Sequence, residues 1–375
     1  MTRIDEFLAR QAPVTPCVVV DLDIVRERYS ALRNLMPNAS IYYAVKANPA
    51  PQVIVALADM DIGFDLASRG EIDRCRALGI APQRFCFGNT IKSESDVAWA
   101  CALGIDMFAF DSSGELEKLA RSAAGSRVFC RIAAHSNGAE WPLSRKFGCA
   151  PHLAVELLLR AKEVGLHPIG VSFHVGSQQT DPGQWCVAIA HAASVFRACA
   201  RRGLQLDLLN LGGGLPAHYV SPVPPLLDYA ATMNAAIEQQ FGGSPPQIMI
   251  EPGRYLVGDA GLLRSQVLLI ARHGGRDPRR WVYVDAGRYN GLPETQGECI
   301  RYAIRTPRDG GATEPAVLAG PTCDSTDIIY EKSGYALPID LEIGDTIDFL
   351  SAGAYTASYA SVEFNGFPPL ATHCI

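Results

Sequence analysis

The chain of 375 residues has no run of eighteen apolar residues, so no membrane-spanning helix is expected. Its opening, MTRIDEFLARQAP, lacks the apolar stretch of a secretion signal. Basic residues are not in excess: 33 lysines and arginines against 39 aspartates and glutamates leave a net charge of -6. Such a chain sets up no global field that attracts nucleic acid or an anionic membrane, although a local basic pocket for a small anion is compatible with it. Collagen periodicity and low-complexity blocks are absent. No CxxC pair occurs among the 11 cysteines. Most of these sit in apolar surroundings, where a thiol acts as a small hydrophobe, and a reducing cytoplasm is the expected setting.

The composition is that of a globular protein, 48% hydrophobic and 19% charged, with room for one large domain and a smaller one. A rhythm begins at residue 41. Short apolar segments at 41–48, 61–68, 84–89, 107–112, 127–134, 169–178, 206–214 and 247–254 end in polar or glycine-rich residues. Between them lie stretches with apolar residues at helical spacing. This alternation demands a parallel sheet covered by helices, and eight units favour a closed (β/α)8 barrel over an open doubly wound sheet. After residue 260 the texture turns to strands and turns, and TPCVVVDLD near the start reads as an extended run able to join them. The expected fold is α/β, a TIM-like barrel over 20–260 with a β-rich domain built from 1–19 and 261–375.

Ionisable residues gather at the strand ends. Lys46, Asp65, Arg131, His174, Gly212–Gly214, Glu251 and Arg254 lie at or just past the C-terminal ends of predicted strands, where a barrel places its active site. A lysine ending an apolar strand can simply snorkel to solvent. In a barrel mouth, partial desolvation would instead lower its pKa and ready it to form an imine with a carbonyl compound. The triple glycine Gly212, Gly213, Gly214 lacks the GxxxxGK pattern of a nucleotide loop, yet consecutive bare amides can wrap a phosphate. Arg254 could add charge to that phosphate and Ser177 a hydroxyl. Glu251 could pair with a basic group or keep a pyridine nitrogen protonated. His174 could stack on that ring or be a satisfied core histidine. Metal-ligand spacing and a serine nucleophile elbow are both lacking.

In this order, YYAVKANP, FDLASRGEI, HVGSQ, LGGG, EPGR, GPTCDSTD and AGAYT run through the chain. From about residue 14 to residue 368 it resembles the fold type III decarboxylases dependent on pyridoxal phosphate, whose architecture is alanine-racemase-like. These include ornithine, lysine/ornithine and diaminopimelate decarboxylases. The resemblance implies that Lys46 binds pyridoxal 5'-phosphate covalently and that Glu251 faces the pyridine nitrogen. It places His174 on the ring and Asp65, Arg131 and Glu71 in support. Ser177, Gly214, Arg254 and Tyr355 would hold the phosphate. Cys323 would protonate the α-carbon after carbon dioxide leaves, and Tyr289 would lie near the substrate. It further implies a head-to-tail homodimer in which the loop with Cys323 and Asp324 serves the partner's site.

For the substrate, the CDS at 323–325 favours a distal ammonium through Asp324, and hence a small diamino acid. The YD pair of eukaryotic-type ornithine decarboxylases is missing from YNGLPETQGECIRY, where Glu298 is the best positional match and Glu294 its rival. Ornithine, giving putrescine, is the expected substrate. Lysine decarboxylation or dual activity is the alternative, because one methylene discriminates by only ~1–3 kcal/mol. A racemase would need a tyrosine opposite the lysine and gives no reason for the CDS loop. A non-catalytic cofactor-binding regulator would have shed site residues, whereas Lys46, Glu251, Cys323 and Asp324 are all present.

Overall fold

The computed structural model describes residues 2–134, 137–141, 146–275 and 277–375. Two compact units form: one from Arg26–Pro216 and Val223–Tyr255, the other from Met1–Val25, Ala217–Pro222 and Leu256–Ile375. In the first, all eight apolar segments become strands: β1 (Ala39–Ala44), β2 (Gly63–Leu66), β3 (Phe85–Phe87), β4 (Met107–Phe110), β5 (Arg127–Arg131), β6 (His167–Ser172), β7 (Leu208–Asn210) and β8 (Gln247–Ile250). Each pairs in parallel with the next and β8 pairs with β1, closing the barrel. Continuous burial on both faces explains why these strands read as unbroken apolar runs.

Strand-to-helix turns follow a repeated local rule. Ser68, Ser93 and Ser112 each accept the backbone N–H three residues on, opening the helices Arg69–Ala77, Glu94–Ala102 and Ser113–Ser122. The barrel interior is filled by Cys86, Met107, Ala109, Phe129, Ile169, Leu208 and Met249, with Tyr42 against them. A side chain at Gly170 would run into the Leu208 carbonyl, so only glycine lets β6 and β7 close up there.

The second unit is β-rich. Gly261–Gly274 pairs antiparallel with Asp277–Val284 on one side and Thr346–Leu350 on the other. The early strand Cys17–Val20 joins this sheet, antiparallel to Gly261–Arg264 and parallel to Ala371–Cys374. All four of its residues are buried.

One charged pair lies inside the barrel unit. Lys92, fully buried at its side chain, sits 2.9 Å from Glu115, whose side chain is 4% exposed. Its ammonium also donates to the carbonyls of Asn89 and Ala109. Lys118 makes a second ion pair with Glu115. Removing one partner of a buried pair strands the other charge. Lys92→Met is expected to lower stability by about 3 kcal/mol, read as a lower urea-unfolding midpoint, while Arg160→Met, which removes the exposed pair with Glu163, stays near the parent.

Candidate active site

The C-terminal ends of the barrel strands converge on one acidic and basic cluster. Lys46, in the short turn after β1, places its ammonium 3.2 Å from Asp65 Oδ2 at the end of β2. Asp65 is buried, and its Oδ1 has no hydrogen-bond partner among the described residues. Gly88 makes room for it, since a Cβ there would collide with that same Oδ1. Glu71 accepts the Ala67 N–H at 2.7 Å. Burial raises its carboxyl above the ordinary range, and that amide offsets part of the rise.

Glu251, just past β8, has its carboxyl pushed up to about 7, first by burial and then by the neighbouring Asp65 charge. Asn210 opposes the rise by donating to Glu251 Oε1 at 2.6 Å. The same amide accepts the Gly212 N–H at 2.9 Å through Oδ1. Arg131 ends β5 with its guanidinium 4.9 Å from the Phe147 ring centre, and among the described residues it forms no ion pair. Desolvation lowers its pKa, against the pull of Glu251, Asp111 and Asp65. His174 accepts the Gly176 N–H on Nδ1 at 3.0 Å. Burial and the charges of Arg131 and Lys46 drive its pKa well down. The imidazole is therefore neutral, with its proton on Nε2.

Beside this cluster the backbone forms a cradle. Gly212 and Gly214 have φ of 63° and 117°, which glycine adopts freely. A Cβ on Gly213 would come within 2.7 Å of the Glu251 carbonyl, and one on Gly214 within 2.7 Å of the Gly176 carbonyl. Arg254, 3% exposed, donates from Nε and Nη2 to Ser177 Oγ at 3.3 and 3.0 Å. Bare amides, a hydroxyl and a buried guanidinium make a phosphate site. A carboxyl raised to about 7 and a buried carboxylate oxygen without a donor suit a protonated pyridine nitrogen nearby. Pyridoxal phosphate therefore fits these residues.

The remaining expected residues lie in the second unit. Tyr355 sits in a turn with φ of 58°. Cys323 is exposed; its N–H donates to Asn365 Oδ1 at 3.1 Å, and its sulfur accepts from Asn365 Nδ2 at 3.3 Å. Asp324 Oδ1 accepts the N–H and hydroxyl of Thr326, at 2.8 and 2.6 Å, which hold its carboxyl below the ordinary range. Thr326 in turn bonds the Tyr289 hydroxyl at 2.8 Å. Asp324, Thr326 and Tyr289 thus share one small network, and Cys323 is held separately by Asn365. Glu298 is turned to another purpose: Oε1 accepts the N–H groups of Glu331 and Lys332, at 2.7 and 2.6 Å. Glu294 is buried at 3% exposure. Sequence reasoning missed Asn210 and Asn365; Asn365 before Gly366 reads as turn chemistry, Asn210 as the polar end of a strand, and only the fold reveals what each amide grips.

A barrel whose mouth joins a strand-end lysine, two acids and an anion cradle defines a pyridoxal-phosphate enzyme of the TIM-barrel type. The sequence profile described as "Pyridoxal-dependent decarboxylase, pyridoxal binding domain" matches residues 22–258. A lysine/ornithine decarboxylase of Selenomonas ruminantium is 33% identical over 362 residues, 96% of this chain and 89% of that one. Antizyme inhibitor 2 of Xenopus laevis is 34% identical over 374 residues, 95% of this chain and 80% of that one. The solved structure of a lysine/ornithine decarboxylase from Vibrio vulnificus, complexed with cadaverine, superposes with a TM-score of 0.88 at 32% identity, covering 99% of this chain and 97% of that one. The chain belongs to the pyridoxal-dependent decarboxylase family, fold type III, and its cofactor is pyridoxal 5'-phosphate.

The raised Glu251 pKa carries a stability signature. Without cofactor, the folded state keeps this proton up to about pH 7, whereas the unfolded chain releases it near the ordinary glutamate value. Stability from this group is complete below about pH 4.5 and is lost as pH rises through about 7. Glu251→Gln is expected to raise the apoprotein's thermal stability at pH 8, by up to about 3 kcal/mol, with the two proteins converging below pH 4.5. A thermal-midpoint series against pH checks this.

Proposed function

We propose that the chain decarboxylates a diamino acid, lysine as well as ornithine, releasing the corresponding diamine and carbon dioxide. Expectation from sequence put ornithine first; relatives named lysine/ornithine decarboxylases support the wider reading. The observation that carries the reading is the Lys46–Asp65 pair beside Glu251 at the barrel mouth. The likeness to Antizyme inhibitor 2 favours a second reading, a non-catalytic regulator. Retention of Lys46, Glu251, Cys323 and Asp324 weighs against it.

When bound, the cofactor supplies an electron-poor ring that accepts the electron pair left as carbon dioxide departs. Lys46 anchors it covalently and yields to the substrate amine. Asp65, Arg131 and Glu71 set the charge around that amine. Glu251 holds the proton at the pyridine nitrogen, and neutral His174 offers its ring face without adding charge. Gly212–Gly214, Ser177, Arg254 and Tyr355 hold the phosphate. Cys323 delivers the proton to the α-carbon, and Asp324 and Tyr289 orient the substrate. The working form is a head-to-tail homodimer in the cytoplasm, with the Cys323–Asp324 loop serving the partner's site.

Carbon dioxide release measured in parallel from ornithine and lysine tests this, with comparable kcat/KM expected for both. Turnover of neither would favour the regulator. Lys46→Ala is expected to abolish turnover and the cofactor's absorbance near the visible edge. Cys323→Ala is expected to keep that absorbance and to slow amine formation by roughly 10²–10⁴-fold.

A further inference from the structure

Two cysteines face each other behind Arg131. Cys130, the residue before it in β5, has its sulfur 3.6 Å from that of Cys149, in a thiol hydrogen bond. Phe129 belongs to the barrel interior, so Cys130, one residue on, points to the opposite face of the sheet. Cys149 lies just before the helix Pro151–Glu163. Its N–H donates to the Arg131 carbonyl at 3.1 Å, and its own carbonyl accepts the Ala133 N–H at 2.8 Å. Its sulfur also lies 3.6 Å from the Arg131 carbonyl. Gly148 donates to Asp111 Oδ2 at 2.8 Å, and a Cβ on it would come within 2.6 Å of the Ala133 nitrogen. The proximity of the two sulfurs is therefore built into the backbone.

A buried thiol is ordinarily an inert hydrophobe. Burial raises the thiols of Cys17, Cys75, Cys86 and Cys199, and it drives that of Cys130 well above the ordinary value. Cys149 goes the other way. The Cys130 thiol donating to it lowers its pKa, against burial and the Asp111 charge. Cys149 is also the more open of the two, at 7% exposure against 0%. A small uncharged oxidant therefore meets first the sulfur with the greater thiolate character. A second thiol 3.6 Å away stands where a resolving cysteine belongs.

We propose that Cys149 and Cys130 form an oxidation site for small peroxides, with Cys149 the attacking sulfur and Cys130 the resolving one. The Cys149 thiolate attacks one oxygen of hydrogen peroxide and becomes a sulfenic acid. The O–O bond breaks, and the departing hydroxide takes up the proton that Cys149 released and leaves as water. The Cys130 sulfur then attacks the Cys149 sulfur. The S–O bond breaks, and the hydroxyl leaves as water with the Cys130 proton. Two thiols thus lose two electrons and two protons, and one peroxide becomes two waters. The disulfide ties the end of β5 to the segment that opens the next helix. A dithiol reductant reverses it, so in a reducing compartment the bond is transient. The site needs no substrate and stands apart from the decarboxylase reading.

The test treats the holoenzyme with hydrogen peroxide, blocks the remaining thiols with iodoacetamide and maps the unreduced peptides by mass spectrometry. The expected product joins the Cys130 and Cys149 peptides, and dithiothreitol removes it. In Cys130→Ser, Cys149 is expected to stop at the sulfenic acid and take up dimedone. In Cys149→Ser, Cys130 stays a free thiol and takes up none. Oxidation of the exposed Cys323 while Cys130 and Cys149 both remain free overturns the site. Conversion of Cys149 to sulfinic acid in the parent, with Cys130 still free, also overturns it, because the neighbour then fails to resolve. Dimedone on Cys130 in Cys149→Ser overturns the assignment of roles. The cross-link is read in the parent, so the site is decided even if a serine variant folds poorly.

Discussion

The barrel mouth depends on one side-chain amide. Asn210 donates to Glu251 and accepts from Gly212, so one residue fixes both the Glu251 carboxyl and the start of the glycine turn. Glu251 cannot turn away without losing a 2.6 Å hydrogen bond, and the glycine turn cannot shift without losing its anchor. The carboxyl and the glycine turn are therefore held at a set spacing by strand β7 and its turn. Gly213 completes the constraint, because any side chain there would press on the Glu251 carbonyl.

Charge at the mouth is balanced through neutrality as much as through pairing. Asp65 and Glu251 stand against Lys46 and Arg131, and Glu251 keeps its proton to about pH 7 in the absence of a basic ring. His174 contributes no charge: its Nδ1 is committed to Gly176, and its surroundings disfavour protonation.

The barrel was legible because its strands are buried on both faces, so each appears as an apolar run ending in a polar residue. Lys46, Asp65, Arg131 and Glu251 stood out for the same reason, as ionisable groups closing apolar stretches. Asn210 and Asn365 did not, since their importance lies in which distant group each amide reaches. Glu298 shows the opposite failure. Position along the chain put a carboxylate near the expected place, but the backbone at 331 and 332 takes that oxygen, 33 and 34 residues away.

The strand Cys17–Val20 has a kinetic consequence. Barrel strands pair with neighbours close in the chain, and such contacts form quickly. Cys17–Val20 instead bonds to Gly261–Arg264 and to Ala371–Cys374, so the entire barrel sequence lies inside each loop that these pairings close. That loop costs chain entropy until the barrel has compacted it. The first strand of the sequence is accordingly among the last to dock, and its four buried residues stay exposed to misassociation until the barrel is built.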